Sequence, residues 1–271
     1  MPETLLLVDA YSQIYRAFYA IRTLTSPAGE PVNAIFGFTK MLKKLQADLQ
    51  PSHLAVVFDL GAPQHRLAVL PSYKEHRPPT PPDLDRQLPA IREVLDALGL
   101  PVVEQDGEEA DDIIATLASE AAQDGADVLI ATNDKDFMQL VRPGIRMIRS
   151  EGEPVTETGV RDRYGVPPGQ IVDLLSLTGD AVDNIPGVPG VGEKTAAELL
   201  SRHGSLDSLL AATPTLTKPK LRAALEERRD QLLRNRQLIT LNTHMSLPMK
   251  WRDLVCQTSD QAALRSEEHT S

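Results

Sequence analysis

Three short apolar runs, each delivering an acidic residue at its carboxyl end, constrain this chain more than any other feature. Residues 5–8 (LLLV) lead into Asp9, and residues 54–58 (LAVVF) lead into Asp59. Residues 128–131 (VLIA) lead into Thr132, Asn133, Asp134, Lys135 and Asp136. A continuous apolar run of this length reads as a strand covered on both faces, as in a parallel sheet. One Asp after a strand is ordinary turn chemistry. The same grammar three times points to a site outside the carboxyl ends of the strands, where open α/β sheets bind their ligands. The expected fold class is therefore α/β, a mostly parallel sheet flanked by helices.

The intervening segments fill in that sheet. Residues 32–49 carry Ile35, Phe38, Leu42, Leu45 and Leu49 at helical spacing, with Lys40, Lys43 and Lys44 on a solvated polar face. Residues 89–98 predict a second amphipathic helix closed by Gly99, and Val102 and Val103 a further strand. Residues 61–88 break the periodicity; Pro78, Pro79, Pro81 and Pro82 stiffen the second half, and Arg66, Lys74 and Arg77 add positive charge. Glu109, Asp111 and Asp112 open a helix whose apolar positions are Ile113, Ile114 and Leu117. Acids in a first turn are stabilised by the helix dipole without any metal. Glu109 and Asp112 face one way, and Asp111 joins them only if the helix starts late.

Residues 178–200 (TGDAVDNIPGVPGVGEKTAAELL) hold two kinds of chemistry side by side. Asp180 and Asp183 are three apart, so on a helical turn their carboxylates share a face that suits one cation. Gly187, Gly190 and Gly192 then open a hairpin whose bare backbone N–H groups admit a phosphate, with Lys194 and Thr195 at the start of the next helix. A P-loop is excluded because Glu193 separates Gly192 from Lys194. Beyond it, residues 206–210 and 218–236 predict helices, the second rich in Arg and Lys.

The string GDAVDNIPGVPGVGEKTA resembles the metal-site and helix-hairpin-helix segment of the 5′ nuclease domain of bacterial DNA polymerases I, within the flap endonuclease family. The resemblance extends over residues 4–250, through EADD followed by TNDKD and through SYKEHRPP. It implies residues 1–172 as a nuclease domain of the PIN type, residues 61–88 as a helical arch, and residues 173–250 as a helix-hairpin-helix lobe. Residues 237–245 resemble an extended return, and 251–264 a tail or linker. Residues 265–271 (RSEEHTS) match the translation of a sequencing adapter, are read as an assembly artefact and are left out of the fold.

By the same resemblance, Asp9, Asp59, Glu109, Asp111 and Asp112 serve one cation, and Asp134, Asp136, Asp180 and Asp183 a second. The implied ions are two Mg²⁺, with Mn²⁺ as a substitute, and K⁺ at the hairpin. Lys74, Arg77 and Arg16 are the implied catalytic cations. Arg66, Tyr73, Gly187, Gly190, Gly192, Lys194 and Thr195 are the implied DNA contacts. His65 stands where the family commonly has Phe. The implied activity is metal-assisted hydrolysis of DNA at 5′ ends, nicks and 5′ flaps, alone or with a polymerase that follows on the chain or acts beside it. Two other classes stay open: a PIN-type ribonuclease, which has no need of the glycine hairpin, and a non-catalytic DNA-binding module, which has no need of every acid.

Composition agrees once the acids are assigned. A formal net charge of −10 argues against a nucleic-acid partner only if charge is read globally. The implied metal-site carboxylates account for nearly all of it, and bound cations reverse the local sign. Aromatics at 4% leave few platforms for base stacking. The single cysteine excludes an internal disulfide, and the apolar run before Asp9 is too short for a signal peptide. A cytoplasmic protein with no membrane partner is expected.

Overall fold

The computed structural model describes residues 3–149 and 154–256. Residues 265–271, expected to be foreign, lie outside the described residues. The first part of the chain runs β1 (Thr4–Asp9), α1 (Ala10–Ala20), α2 (Asn33–Leu49), β2 (His53–Val57), α3 (Gln64–Val69), α4 (Pro82–Asp85) and α5 (Leu88–Ala97). It continues through β3 (Val102–Val103), α6 (Ala110–Gln123), β4 (Asp127–Ala131), β5 (Ile145–Ile148) and α7 (Glu157–Tyr164). The second part is α8 (Ile171–Thr178), the two-residue strands β6 (Gly179–Asp180) and β7 (Ile185–Pro186), then α9 (Glu193–His203), α10 (Leu206–Ala212), α11 (Pro219–Glu227) and α12 (Arg229–Ile239).

Strands β1 to β5 form one sheet in the order β3-β2-β1-β4-β5, with every pair parallel. Period-two alternation divides its side chains between two cores. Leu5 and Leu7 pack with the α6 and α8 side, and Leu6 and Val8 with the α1, α2 and α5 side. Both faces are covered, which is why β1 is apolar throughout rather than alternating. Each such leucine contributes roughly 1.5–3 kcal/mol by leaving water. The edge strand β5 has no counterpart in the sequence analysis; Arg146 interrupts its apolar residues and pairs with Asp127.

The order reverses at β1, which lies between β2 and β4. Chains leaving β1 and β4 turn to different sides and leave a crevice at their carboxyl ends. Asp9 ends β1, Asp59 lies two residues past β2, and Thr132 to Asp136 follow β4 directly, so topology alone brings the three acidic segments to that crevice.

The second lobe shares the core on the α6 face, since Leu200, Leu209, Leu225 and Leu232 belong to the same cluster as Leu5 and Leu7. The expected helix over 218–236 is two helices, α11 and α12, parted at Arg228. Residues 237–239 complete α12 rather than starting an extended return. Residues 251–256 are not a free tail. Trp251 is buried, donates its indole N–H to Asp124 (2.9 Å) and meets the His53 ring, and the Leu254 carbonyl accepts the Leu54 N–H (2.9 Å). Among the described residues no helix is long and apolar enough to cross a membrane.

Candidate active site

The strand-end acids are fixed by backbone. Asp9 caps α1, accepting the Ser12 N–H (3.1 Å) on one oxygen and the Thr132 hydroxyl (2.7 Å) on the other. Asp59 accepts the Ala110 N–H (2.8 Å) at the first residue of α6. Asp134 accepts the Asp136 N–H (2.9 Å), and its own N–H is held by Thr132 Oγ1 (3.1 Å). These bonds orient each carboxylate before any ligand is present.

Burial drives the electrostatics of the cluster. It raises Asp9 to about 7, against the lowering effect of Thr132 and Ser12, and Asp59 and Asp134 push the same way. Asp111 lies well above the carboxylate range, from burial and then from Asp134, Asp9 and Asp59. Asp136 does too, from burial and then Asp134, Asp180 and Asp183. Asp59 and Asp134 are raised, again chiefly by burial. Asp134 raises Asp111 and is itself raised by the Asp180–Asp183 pair, so its charge links the two groups of acids.

The pair Asp180 and Asp183 converges without a helical turn. Helix α8 stops at Thr178, Gly179 takes φ +74°, and Asp180 Oδ1 accepts the Val182 N–H (2.9 Å), closing a turn of the Asx type. The outcome matches the expectation of a shared face by another route: oxygens of Asp136, Asp180 and Asp183 lie within 4.8 Å of one another. Asp136 Oδ1 is buried with no hydrogen-bond partner among the described residues. A buried, unsatisfied carboxylate oxygen among other carboxylates costs free energy that a cation relieves. The residues therefore fit a hard divalent ion with oxygen ligands.

Protein cations face the same acids. Lys74 pairs with Glu109, Arg77 Nη2 with Asp183 Oδ1 (2.7 Å) and Lys135 Nζ with Asp180 Oδ2 (3.2 Å). Burial pulls Lys74 down, but Glu109, Asp183 and Asp111 outweigh it and leave the ammonium above its usual range. Lys135 was missed in the sequence, although a lysine between Asp134 and Asp136 is the local signal for such a pairing. Arg16 is half-buried on α1 and makes no hydrogen bond or ion pair with the described residues.

Four expected residues stand elsewhere. Arg66 is buried: Nη1 binds Glu109 and Asp112 Oδ2 (2.6 Å), Nη2 binds Asp112 Oδ1 (3.0 Å), and Nε donates to the Leu238 carbonyl (2.9 Å). Four of its five N–H donors are used and the side chain is buried, so it is a structural tie rather than a contact for a DNA strand. Asp112 is correspondingly withdrawn from the cation set; its second contact on Oδ1 is the Asn242 N–H (2.8 Å), and His65 lies 3.4 Å from Oδ2. The late start of α6 is the cause, because Glu109 is the extended residue before the helix and is taken up by Arg66 and Lys74, while Asp111 feels Asp134, Asp9 and Asp59. Tyr73 is buried as well, with its hydroxyl 3.2 Å from Asp183 Oδ2, so it is part of the floor and not a DNA platform. Burial and the charges of Glu109 and Asp183 raise its phenol. Gly187 serves the protein itself: a Cβ there would lie 2.1 Å from the Thr178 carbonyl oxygen.

The rest of the hairpin is open. Gly190 (φ +78°) and Gly192 have nothing within 4 Å of a Cβ position, Gly192 is the residue before α9, and Lys194 is exposed in its first turn. Thr195 is half-buried beside Lys218 and Leu221, lining a small cavity of about 70 Å³. Asn235 Nδ2 holds the hairpin from behind, donating to the Ser176 (3.0 Å) and Pro186 (2.7 Å) carbonyls.

Residues 4–165 match the family described as 5′-3′ exonuclease, N-terminal resolvase-like domain, and residues 166–262 match 5′-3′ exonuclease, C-terminal SAM fold. The chain is 40% identical over 266 residues to DNA polymerase I of Bacillus caldotenax, covering 96% of this chain and 30% of that protein. It is 43% identical over 243 residues to the thermostable DNA polymerase I of Thermus aquaticus, covering 89% of this chain and 29% of that protein. It thus spans less than a third of the length of those relatives. In fold it is similar to the bacteriophage T5 flap endonuclease, solved as a pseudo-enzyme–product complex with DNA and metal ions, with a TM-score of 0.76 at 22% identity over 89% of this chain and 90% of that one. The catalytic core of Rad2 in complex with DNA gives a TM-score of 0.60 at 19% identity, over 99% of this chain and 87% of that one.

Proposed function

The chain belongs to the 5′-3′ exonuclease family, and from that premise we propose a divalent-metal-dependent hydrolase that cuts DNA phosphodiesters at 5′ ends, nicks and 5′ flaps. The observation that carries the proposal is the convergence of Asp136, Asp180 and Asp183 within 4.8 Å of one another, against a buried Asp136 oxygen that has no partner. One cation belongs there and a second with Asp9, Asp59 and Asp111, Asp134 lying between them. Mg²⁺ suits an all-carboxylate set, Mn²⁺ substitutes for it, and K⁺ belongs at the hairpin by family resemblance. Such ions activate water and neutralise the attacking and leaving oxygens of an in-line displacement.

The chain's own groups bind and orient the substrate. Lys74 and Arg77, paired with Glu109 and Asp183, are placed to exchange those carboxylates for a phosphate and to neutralise charge developing on it. Arg16 stands on the helix that Asp9 caps and adds to that field. Amides of Gly190 and Gly192 and the Lys194 ammonium hold the duplex backbone, at a helix N-terminus that favours an anion. The polymerase relatives support a polymerase acting on the same DNA.

Asp183→Asn tests the proposal, because it removes one negative ligand while keeping the shape. Cleavage of a 5′-labelled flap in Mg²⁺ is expected to fall by about a hundredfold or more. Flap binding in Ca²⁺ at fixed salt is expected to hold or tighten, since one carboxylate fewer repels the phosphates. Unchanged cleavage would overturn the metal assignment. A wild-type chain that binds flaps but never cuts them in Mg²⁺ or Mn²⁺ would make it a binding module.

A further inference from the structure

Two turns distant in sequence are stitched together over the carboxylates. Residues 72–77 carry Lys74 and Arg77, and residues 180–184 carry Asp180 and Asp183. Four contacts join them: Arg77 to Asp183 Oδ1 (2.7 Å), the Tyr73 hydroxyl to Asp183 Oδ2 (3.2 Å), the Lys74 N–H to the Asp183 carbonyl (3.1 Å), and Asn184 Nδ2 to the Ser72 carbonyl (2.8 Å). The first two use the Asp183 carboxylate. A carboxylate engaged with a cation has fewer lone pairs to offer Arg77 and Tyr73. The last two contacts use backbone and a carboxamide, so they are independent of what the carboxylate binds.

Both struts start from strained residues. Lys74 has φ +58° and Asn184 φ +57°, a region that costs a side-chain-bearing residue roughly 1–2 kcal/mol and that Asn tolerates better than most. Conformation alone does not explain the asparagine. Glycine would serve the turn, whose Asn184 N–H reaches the Ala181 carbonyl (3.4 Å), but only a donor side chain reaches Ser72. Lys74, strained and pinned by its own N–H, has its ammonium set by where the 72–77 turn sits.

We propose that Asn184 is a positioning residue for cleavage, its carboxamide fixing the phosphate-facing Lys74 at a set distance from the carboxylates of the 180–183 turn. The proposal rests on the metal-nuclease reading above. It acts through Lys74, so the effect of losing Asn184 depends on Lys74 being present.

The test uses Asn184→Gly, which keeps the left-handed turn and removes the donor, with Lys74→Met and the double variant, all in the full chain. Asn184→Gly is expected to lower kcat on a 5′-labelled flap by about tenfold or more, the scale of a slight misplacement of a catalytic group. Mn²⁺ affinity by calorimetry and flap affinity in Ca²⁺ are expected to stay within about twofold. The double variant is expected to cleave no more slowly than Lys74→Met alone, because residues acting as a unit are not additive. Wild-type kcat in Asn184→Gly, or losses that multiply in the double variant, would overturn the proposal. Should Asn184→Gly melt early, kcat is compared at a temperature where it and the wild type are both fully folded; the same loss there supports the strut and a wild-type rate sinks it. If the wild type itself does not cleave, the nuclease reading fails separately. The strut is then decided by acetylation of the Lys74 amine in metal-free protein, which is faster in Asn184→Gly if Asn184 holds the turn and unchanged if it does not.

Discussion

The two halves of the acidic cluster are built differently. Asp9, Asp59 and Asp134 sit at or just past the ends of parallel strands, and each is tied by a backbone N–H: that of Ser12 in α1, of Ala110 at the start of α6 and of Asp136. Asp180 ends the two-residue strand β6 and Asp183 sits on the turn that leads to β7, and apart from the Val182 N–H their carboxylates are held by side chains: Lys135, Arg77 and Tyr73. A strand end is positioned by the sheet whatever occupies the crevice, whereas a turn clasped by ion pairs takes its shape from the charges around it. The first half is a scaffold and the second is the part that answers to a ligand.

The largest effect that sharpens this contrast comes from Arg66 against Arg77. Both are arginines on the 61–88 segment that pair with cluster acids, but Arg66 is buried under Glu109 and Asp112 and the Arg77 side chain is 44% exposed. Arg66→Met strands two buried carboxylates and is expected to destabilise the fold by about 3–5 kcal/mol. Arg77→Met is expected to cost about 1 kcal/mol, since the half-exposed guanidinium is screened by solvent and the Tyr73 hydroxyl stays on Asp183. Urea unfolding of both variants at pH 7.5 checks the difference. Equal losses would erase the distinction between scaffold and clasp.

Much of the scaffold was legible because it is local. An apolar run and the acid after it are neighbours in sequence, so β1, β2 and β4 and their carboxylates could be read directly. The clasp was legible only in part. Asp180 and Asp183 were rightly paired, but Gly179 at φ +74° ends the helix that the spacing of three suggested. The partners of Arg66 lie 43 and 46 residues away, and nothing local distinguishes an arginine that seeks DNA from one that seeks Asp112. The glycines divide in the same way: Gly187 is demanded by the Thr178 backbone, a tertiary contact, while Gly190 and Gly192 are open as their sequence context suggests.

A smaller effect comes from pH and metal together. Asp9 is raised from 3.8 to about 7 in the fold, and Asp59, Asp111, Asp134 and Asp136 move the same way. The folded cluster then holds more protons than the unfolded chain above about pH 4, so its contribution to metal-free stability is fully present below about pH 4 and is lost as pH rises through 7. A divalent cation offsets the repulsion of the ionised form. Mg²⁺ at fixed ionic strength is expected to raise Tm by several degrees at pH 8 and by little at pH 5. Amide exchange sharpens the comparison further: added Mg²⁺ should slow exchange at residues 181–184 and leave residues 5–8 unchanged. A uniform response, or a larger Tm rise at pH 5, would argue against a ligand-responsive turn.

The smallest effect lies outside the cluster, at the open end of the hairpin. Lys194 is exposed and forms no ion pair with the described residues, while its neighbour Glu193 binds Arg163 (3.1 Å). Its charge is therefore available to a phosphate, and a phosphate contact positions DNA without reading bases. Lys194→Ala is expected to change folding stability by no more than about 0.5 kcal/mol, as for a surface substitution. It should weaken binding alike on duplexes of different sequence and lower the slope of log affinity against log salt by about one unit. Because the hairpin is anchored by Asn235 and by the close Gly179–Gly187 approach, neither of which involves the acids, the loss should be the same with and without Ca²⁺. A loss that appears only in Ca²⁺ would mean that the clasp and the hairpin move together, and that the ligand-responsive region extends from the Asp180–Asp183 turn into α9.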